Sequence, residues 1–277
     1  MKTIAHISDL HFGRIDPETL EPLRKAIVEL SPDLVVVTGD LTQRARRRQF
    51  QEVREFLDGL PKPQIVVPGN HDVPLYRVVA RFHHPFRLFR RYIIDDLEPS
   101  YSDDEIAVVG INTARSWTTK FGRINREQAR RTHARFRASG PGITRIVATH
   151  HPFDLPEGSD ARDIVGRARM AMEVLAECGT DLFLAGHVHR SHSGQTAARY
   201  RIAGHSALFL TAGTATSTRG RGETNSFNWI RIAKPLLDVR RHTFLRESGT
   251  FVPLEEQLFE HTEAGWAKRQ AAALTAP

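Results

Sequence analysis

The sequence predicts an α/β fold built as one layered domain, and three observations carry that reading. Short apolar runs alternate with amphipathic stretches over the first two thirds of the chain, at a spacing of about 30 residues, the length of a strand–helix–strand unit with a parallel core. After Gly186 the long helical patterns stop and several strand-like runs follow one another, which predicts a second, mostly antiparallel sheet. No repeat or low-complexity linker divides the chain, so residues 1–264 read as a single domain and 265–277 as a frayed tail.

The elements follow from local pattern. Residues 4–7, 34–38 and 65–67 are apolar runs of strand length, each ending in a polar or glycine-containing turn. Between them, 17–30 and 42–60 place apolar residues at helical spacing. Further strands are expected at 106–111, 143–149 and 182–185, with helices at 126–137 and 161–177. The later strands are 196–202, 207–212, 227–232 and 237–244, and 255–261 reads as a short terminal helix.

Composition narrows the chemistry. The single cysteine, Cys178, excludes a disulfide framework and makes thiolate metal sites an unpromising expectation. Fourteen histidines leave imidazole and oxygen as the donors for any metal. The formal charge of +7, mostly from arginine, favours anionic partners. No window approaches the ~20 apolar residues needed to span a bilayer, and the first motif begins at Asp9, leaving no room ahead of it for a signal peptide. The expectation is a cytoplasmic protein, with peripheral membrane contact as an option.

Five short motifs then stand out: Asp9-x-His11, Gly39-Asp40, Gly69-Asn70-His71-Asp72, His150, and Gly186-His187-x-His189. Each lies just past the C-terminal end of an expected strand, where open α/β sheets bind ligands. Any one of them occurs by chance in many proteins; all five, in order and at strand ends, do not. Imidazole mixed with carboxylate suits Mn, Fe, Zn or Co, whereas an all-oxygen set would suit Mg or Ca. A carboxylate can bridge two cations about 3.5–4 Å apart, the arrangement used in two-metal hydrolysis.

The series Asp-x-His, Gly-Asp, Gly-Asn-His-Asp, His and Gly-His-x-His resembles the calcineurin-like metallophosphoesterase superfamily, and most nearly its bacterial branch of class III cyclic-nucleotide phosphodiesterases. The motifs span residues 9–189 and none of the signature positions is missing. The resemblance implies a four-layer α-β-β-α sandwich and two divalent transition metal ions. It assigns Asp9, His11, Asp40 and His189 to the first ion, and Asp40, Asn70, His150 and His187 to the second, with Asp40 bridging. His71 would face the phosphate, stabilising the transition state or protonating the leaving oxygen, with Asp72 orienting it. A hydroxide bridging the ions would attack phosphorus in line.

Other residues read less sharply. His151, adjacent to His150, points to the opposite side in extended backbone and is not expected to share its metal. His6 lies within a strand and reads as a core residue. Asn112 and Arg115 follow a strand end, and Arg219 and Arg221 sit in a polar glycine-rich loop; all four are candidate substrate contacts. Residues 77–94 interleave phenylalanine with arginine, the pattern of a cap helix on the core or of a surface lying on an anionic membrane. Arg44 to Arg48 read as a solvated helix face.

A small phosphodiester, such as a cyclic nucleotide, is therefore the expected substrate. The alternative is a nucleotide-linked lipid pyrophosphate or phospholipid-like diester at the membrane surface. Against it, the better-known lipid A pathway hydrolases carry Gly-Asn-Arg-Asp where this chain has Gly-Asn-His-Asp. A nuclease ranks lower, since no extra DNA-binding domain is evident, and a non-catalytic metal-binding scaffold ranks last because every signature position is present.

Overall fold

A computed structural model describes residues 1–269 except 157, 201, 203, 204, 220 and 221. Strand β1 (Lys2–Ile7) leads into α1 (Pro17–Leu30), and β2 (Leu34–Thr38), α2 (Arg47–Asp58) and β3 (Gln64–Val67) repeat the step. Two short helices, α3 (Val78–His83) and α4 (Arg87–Tyr92), precede β4 (Ser100–Ser102) and β5 (Ile106–Ile111). The alternating part ends with α5 (Arg126–Arg137), β6 (Thr144–Thr149), α6 (Ala168–Ala176) and β7 (Leu182–Ala185). There follow β8 (His192–Gln195), the one-turn α7 (Thr196–Arg199) and β9 (Leu208–Thr211). The chain closes with β10 (Ser226–Ala233), β11 (Leu236–Leu245), β12 (Thr250–Thr262) and β13 (Gly265–Lys268).

Local chemistry sets several boundaries. Asp16 caps α1 by accepting from the Glu18 N–H, and Pro17 occupies the first turn, where its missing N–H is harmless. Asn125 and Gln128 form a reciprocal cap on α5.

The strands form two sheets, ordered β13-β12-β11-β10-β1-β2-β3 and β4-β5-β6-β7-β9-β8. Within them β1, β2 and β3 are parallel, as are β5, β6, β7 and β9. Alternation along each strand makes the layers. Leu34 and Val36, Ile106 and Val108, and Leu182 and Leu184 meet in one cluster between the sheets. Val35 and Val37 instead pack against Leu23 and Ile27 of α1 and Phe50 and Val53 of α2. Val109, Val147 and Phe183 pack against Phe136 of α5 and Met172 of α6. The result is the four-layer α-β-β-α sandwich.

The structure corrects the sequence reading at several elements. Residues 255–261 lie within β12, not a helix, because β11 offers a full ladder, and Arg240 and Arg241 pair across it with Glu256 and Glu255. The strand expected at 196–202 begins earlier, at His192, and residues 196–199 turn helically. Residues 161–163 form a separate 3-10 turn before α6. The expected tail starts with strand β13, anchored by buried Trp266, whose indole N–H donates to Asp181 Oδ1 at 2.8 Å; residues 270–277 lie outside the described residues. The segment 77–94 is split between core and surface. Phe86, Leu88, Phe89 and Tyr92 pack on the core of the first sheet, whereas Val78, Val79 and Phe82 of α3 are exposed.

Candidate metal centre

The motif residues converge where the C-terminal ends of β1, β2, β3, β6 and β7 meet. Tight turns aim them there. Asp9, His11, Asp40, His187 and His189 all have positive φ, between 51° and 73°, a conformation that costs an L-residue roughly 1–2 kcal/mol. Strain of this kind persists where the surrounding structure enforces it, commonly at functional sites. The backbones also approach closely: a Cβ on Gly186 would lie 1.8 Å from Ser8 Oγ, and one on Gly69 would lie 2.2 Å from Asp40 Oδ1.

A first group brings together Asp9, His11, Asp40 and His189, all buried. His11 Nε2 lies 3.6 Å from Asp9 Oδ1, 3.7 Å from Asp40 Oδ2 and 3.4 Å from His189 Nε2. His189 Nε2 lies 3.4 Å from Asp9 Oδ1. These gaps match the roughly 3.4 Å edge of a tetrahedron whose metal–ligand bonds are ~2.1 Å. Behind Asp9 and His189 the outer atoms are occupied. Asp9 Oδ2 accepts from Ser8 Oγ and the His187 N–H, and His189 Nδ1 bonds Thr214 Oγ1 at 2.8 Å. Asp9 Oδ1, though buried, has no hydrogen-bond partner among the described residues. Burial opposes ionisation of Asp9, but His189 and His11 hold its carboxyl below the usual range.

A second group surrounds His150. Its Nδ1–H donates to the Thr38 carbonyl at 2.8 Å, which leaves a lone pair on Nε2. That nitrogen faces Asn70 Oδ1 at 3.1 Å, His187 Nδ1 at 3.3 Å and Asp40 Oδ1 at 3.4 Å. The Asn70 amide is fixed in this sense because its Nδ2 donates to the Thr119 carbonyl. Acceptors converging on a lone pair are unfavourable unless a proton or a cation sits among them. Burial resists a proton on His150, yet Asp40 pushes its pKa up to about 9, so the cluster demands positive charge. The donor set fits a metal ion. Asp40 turns one carboxylate oxygen to each group, an arrangement open to a bridging carboxylate.

His151 comes within ligand range of His150 and His187, but both its ring nitrogens are engaged, with Thr113 Oγ1 and the Lys120 carbonyl, each at 2.8 Å. It buttresses the loop instead. His6 is a core residue, bonded to Thr38 Oγ1 at 3.0 Å.

His71 stands at the rim. Its Nδ1 bonds the Gln43 carbonyl at 2.9 Å, and its Nε2 bonds an Arg219 Nη1 at 2.9 Å and lies 4.0 Å from Asp40 Oδ2. Burial lowers its pKa despite Asp40, consistent with a neutral ring that donates to Gln43 and accepts from Arg219. The expected role of Asp72 is corrected: its carboxylate accepts from Gly69 N, Leu41 N, Thr42 N and Thr42 Oγ1. It fastens the loops after β2 and β3 together, and the Gln43 carbonyl orients His71.

Arg219 reaches the site, whereas Arg221 lies outside the described residues. Arg115 does not serve as a free anion contact. Its guanidinium is half-buried and committed to the carbonyls of Asn112 and Ala114 and to Gln128 Oε1. Asn112 Oδ1 closes the same turn through the Ala114 N–H. Both residues pin their loop to α5.

Sequence reasoning missed three features. Asp163 lies 3.7 Å from His187 Nε2 and 2.5 Å from Lys120 Nζ, behind a candidate ligand. Gln43 and Thr119 act through backbone carbonyls, which no residue type reveals. Arg14 and Arg44 lie close enough to Arg219 to lower its pKa, after burial and against the pull of Asp40, so the rim is more cationic than expected. Only the Arg44 cluster left a signal in the sequence.

A four-layer sandwich with imidazoles and carboxylates gathered at its strand ends agrees with the family that the motifs resemble. The chain matches the model of the calcineurin-like phosphoesterase family over residues 2–191 and belongs to that family. It is 36% identical over 85 residues to the glycerophosphodiester phosphodiesterase GpdQ of Enterobacter lignolyticus, covering 25% of this chain and 29% of the relative. It is 36% identical over 76 residues to the UDP-2,3-diacylglucosamine pyrophosphatase LpxG of Chlamydia muridarum, covering 26% and 23%. A probable cyclic nucleotide phosphodiesterase of Synechococcus is 32% identical over 82 residues, covering 26% and 32%. The chain thus spans less than a third of the length of each of these relatives. Among solved structures it resembles a dimetal phosphatase from Danio rerio, with a TM-score of 0.68 at 14% identity over 94% of this chain and 99% of that one. A purple acid phosphatase from yellow lupin gives 0.66 at 13%, over 91% and 52%. At these identities the likeness concerns the fold.

Proposed function

We propose that this chain hydrolyses a phosphodiester at a dinuclear metal centre, and that a small diester such as a cyclic nucleotide is its substrate class. The observation carrying the reading is Asp40, whose two carboxylate oxygens face two separate ligand groups. Asp9, His11, Asp40 and His189 would hold one ion, and Asp40, Asn70, His150 and His187 the other. Nitrogen and oxygen donors without thiolate suit Mn, Fe or Zn. Such ions supply a water of lowered pKa and neutralise charge on the phosphoryl oxygens.

The protein's own groups do the rest. Arg219 bonds His71 at the rim and carries a planar fork of donors suited to a phosphate oxygen. An anionic diester drawing Arg219 away would free His71 Nε2, and its negative charge would favour protonating that nitrogen. From there the proton can reach the leaving oxygen. The Gln43 carbonyl holds the ring in place throughout.

The test is His71→Ala, with metal content and turnover of bis-p-nitrophenyl phosphate and cyclic AMP measured in Mn and in Zn. The variant is expected to keep both ions and lose about 10²–10⁴ of turnover. Absence of diester hydrolysis by the metal-loaded wild type would sink the reading. Turnover of a lipid pyrophosphate with none of cyclic AMP would replace the substrate class.

A further inference from the structure

Among the described residues nine large hydrophobic side chains are exposed, and five of them (Tyr76, Val78, Val79, Phe82 and Trp117) lie on two segments that meet at the Phe82–Trp117 pair. The Phe82 and Trp117 rings pack with centroids 4.9 Å apart. Buried Arg81 binds the two segments together, donating to the carbonyls of Pro74, Ser116 and Thr118. Scattered exposed hydrophobics are ordinary, but a contiguous group with a nearly bare tryptophan marks a contact surface.

Its place and charge identify the contact. The loop bearing Trp117 also supplies the Thr119 carbonyl that fixes Asn70, so the patch borders the candidate metal centre. Residues 73–94 contain five arginines and no Asp or Glu. Arg81 is buried and Arg90 pairs with Asp95, which leaves Arg77, Arg87 and Arg91 as the basic groups of the segment. Residues 113–123 contain no acid, although Lys120 pairs with Asp163. Arg44 lies over the Tyr76 ring, 5.6 Å from its centroid. Two copies meeting here would oppose like charges. Side chains this bare project outward, and a protruding apolar tip needs a yielding partner more than a matching pocket. Tryptophan and tyrosine favour the interfacial zone of bilayers, and basic side chains around them draw anionic headgroups.

We propose that this face docks onto an anionic lipid bilayer, holding the rim of the metal centre against the headgroup layer. The inference is independent of the hydrolase reading.

Trp117 is its own reporter, being 86% exposed while Trp229 and Trp266 are 7% and 1% exposed. The experiment uses vesicles of phosphatidylglycerol with phosphatidylcholine, and of phosphatidylcholine alone. With the anionic vesicles the wild type should co-sediment and its tryptophan emission should shift to the blue, less so at high salt. The double variant Val78→Asp/Val79→Asp should lower partitioning at least about tenfold with an unchanged melting curve. Failure of the wild type to bind anionic vesicles, or unchanged binding by the double variant, overturns the proposal. So does a dimer in sedimentation velocity that the double variant dissolves. Hydrolysis of a soluble diester is read separately, so either proposal can fail alone.

Discussion

The two halves of the candidate metal centre are built on different plans. Around the first, Asp9, His11 and His189 sit on left-handed backbone at the ends of β1 and β7. The support behind Asp9 and His189 comes from neutral hydroxyls, Ser8 and Thr214. Around the second, His150 and Asn70 are held by the backbone carbonyls of Thr38 and Thr119, and His187 faces the carboxylate of Asp163. Left-handed turns place every member of the first group but only Asp40 and His187 of the second, where His150 and Asn70 depend on carbonyls from other loops. An ion at the second group would therefore be the one whose affinity the surrounding loops adjust.

Asp40 belongs to both plans, and its removal should have the largest effect. Asp40→Ala is expected to leave less than one tightly bound ion per chain. Turnover should fall by more than about a thousandfold, beyond the loss of a single stabilising donor. Metal analysis of dialysed protein checks this. One ion retained at full affinity would show that the halves do not share a bridge.

Asp163 separates the halves. Asp163→Asn removes the charge behind His187 Nε2 and leaves Lys120 without its partner. Affinity for the second ion should fall by about 10–100-fold, the usual effect of losing such an outer partner, with the first unchanged. In a manganese titration followed by electron paramagnetic resonance, uncoupled signal should persist to higher metal concentrations than in the wild type. Equal weakening of both ions would remove the distinction drawn here.

The same contrast explains how far the sequence could be read. Strands such as 34–38 and 182–185 were legible as continuous apolar runs of strand length, and the helices 17–30 and 126–137 by the helical spacing of their apolar residues. The clustering of Asp9, His11, Asp40 and His189 was legible because it rests on the motif residues themselves and on the glycines beside them. Asp163 was not, because it lies in a 3-10 turn of a stretch whose pattern reads as continuous helix. The role of Asp72 misled for a related reason: adjacency to His71 says nothing about where its carboxylate points. Residues 255–261 failed differently, because Leu254 and Leu258 lie four apart and imitate a helix face until β11 supplies a ladder.

The smallest expected effect is the most demanding test of the comparison. Thr214 Oγ1 lies 2.8 Å from His189 Nδ1, and a proton on that nitrogen leaves Nε2 free to face the first group. Thr214→Val keeps the branched shape and removes the acceptor. A neutral hydrogen bond contributes about 1 kcal/mol net, and His189 would remain held by its backbone, with φ 57°. First-ion affinity should therefore drop only about fivefold, well short of the loss at Asp163, with the second ion unaffected. If Thr214→Val weakened the first ion more than Asp163→Asn weakens the second, the hydroxyl and not the turn would be organising the first group. The two halves would then rest on the same kind of support.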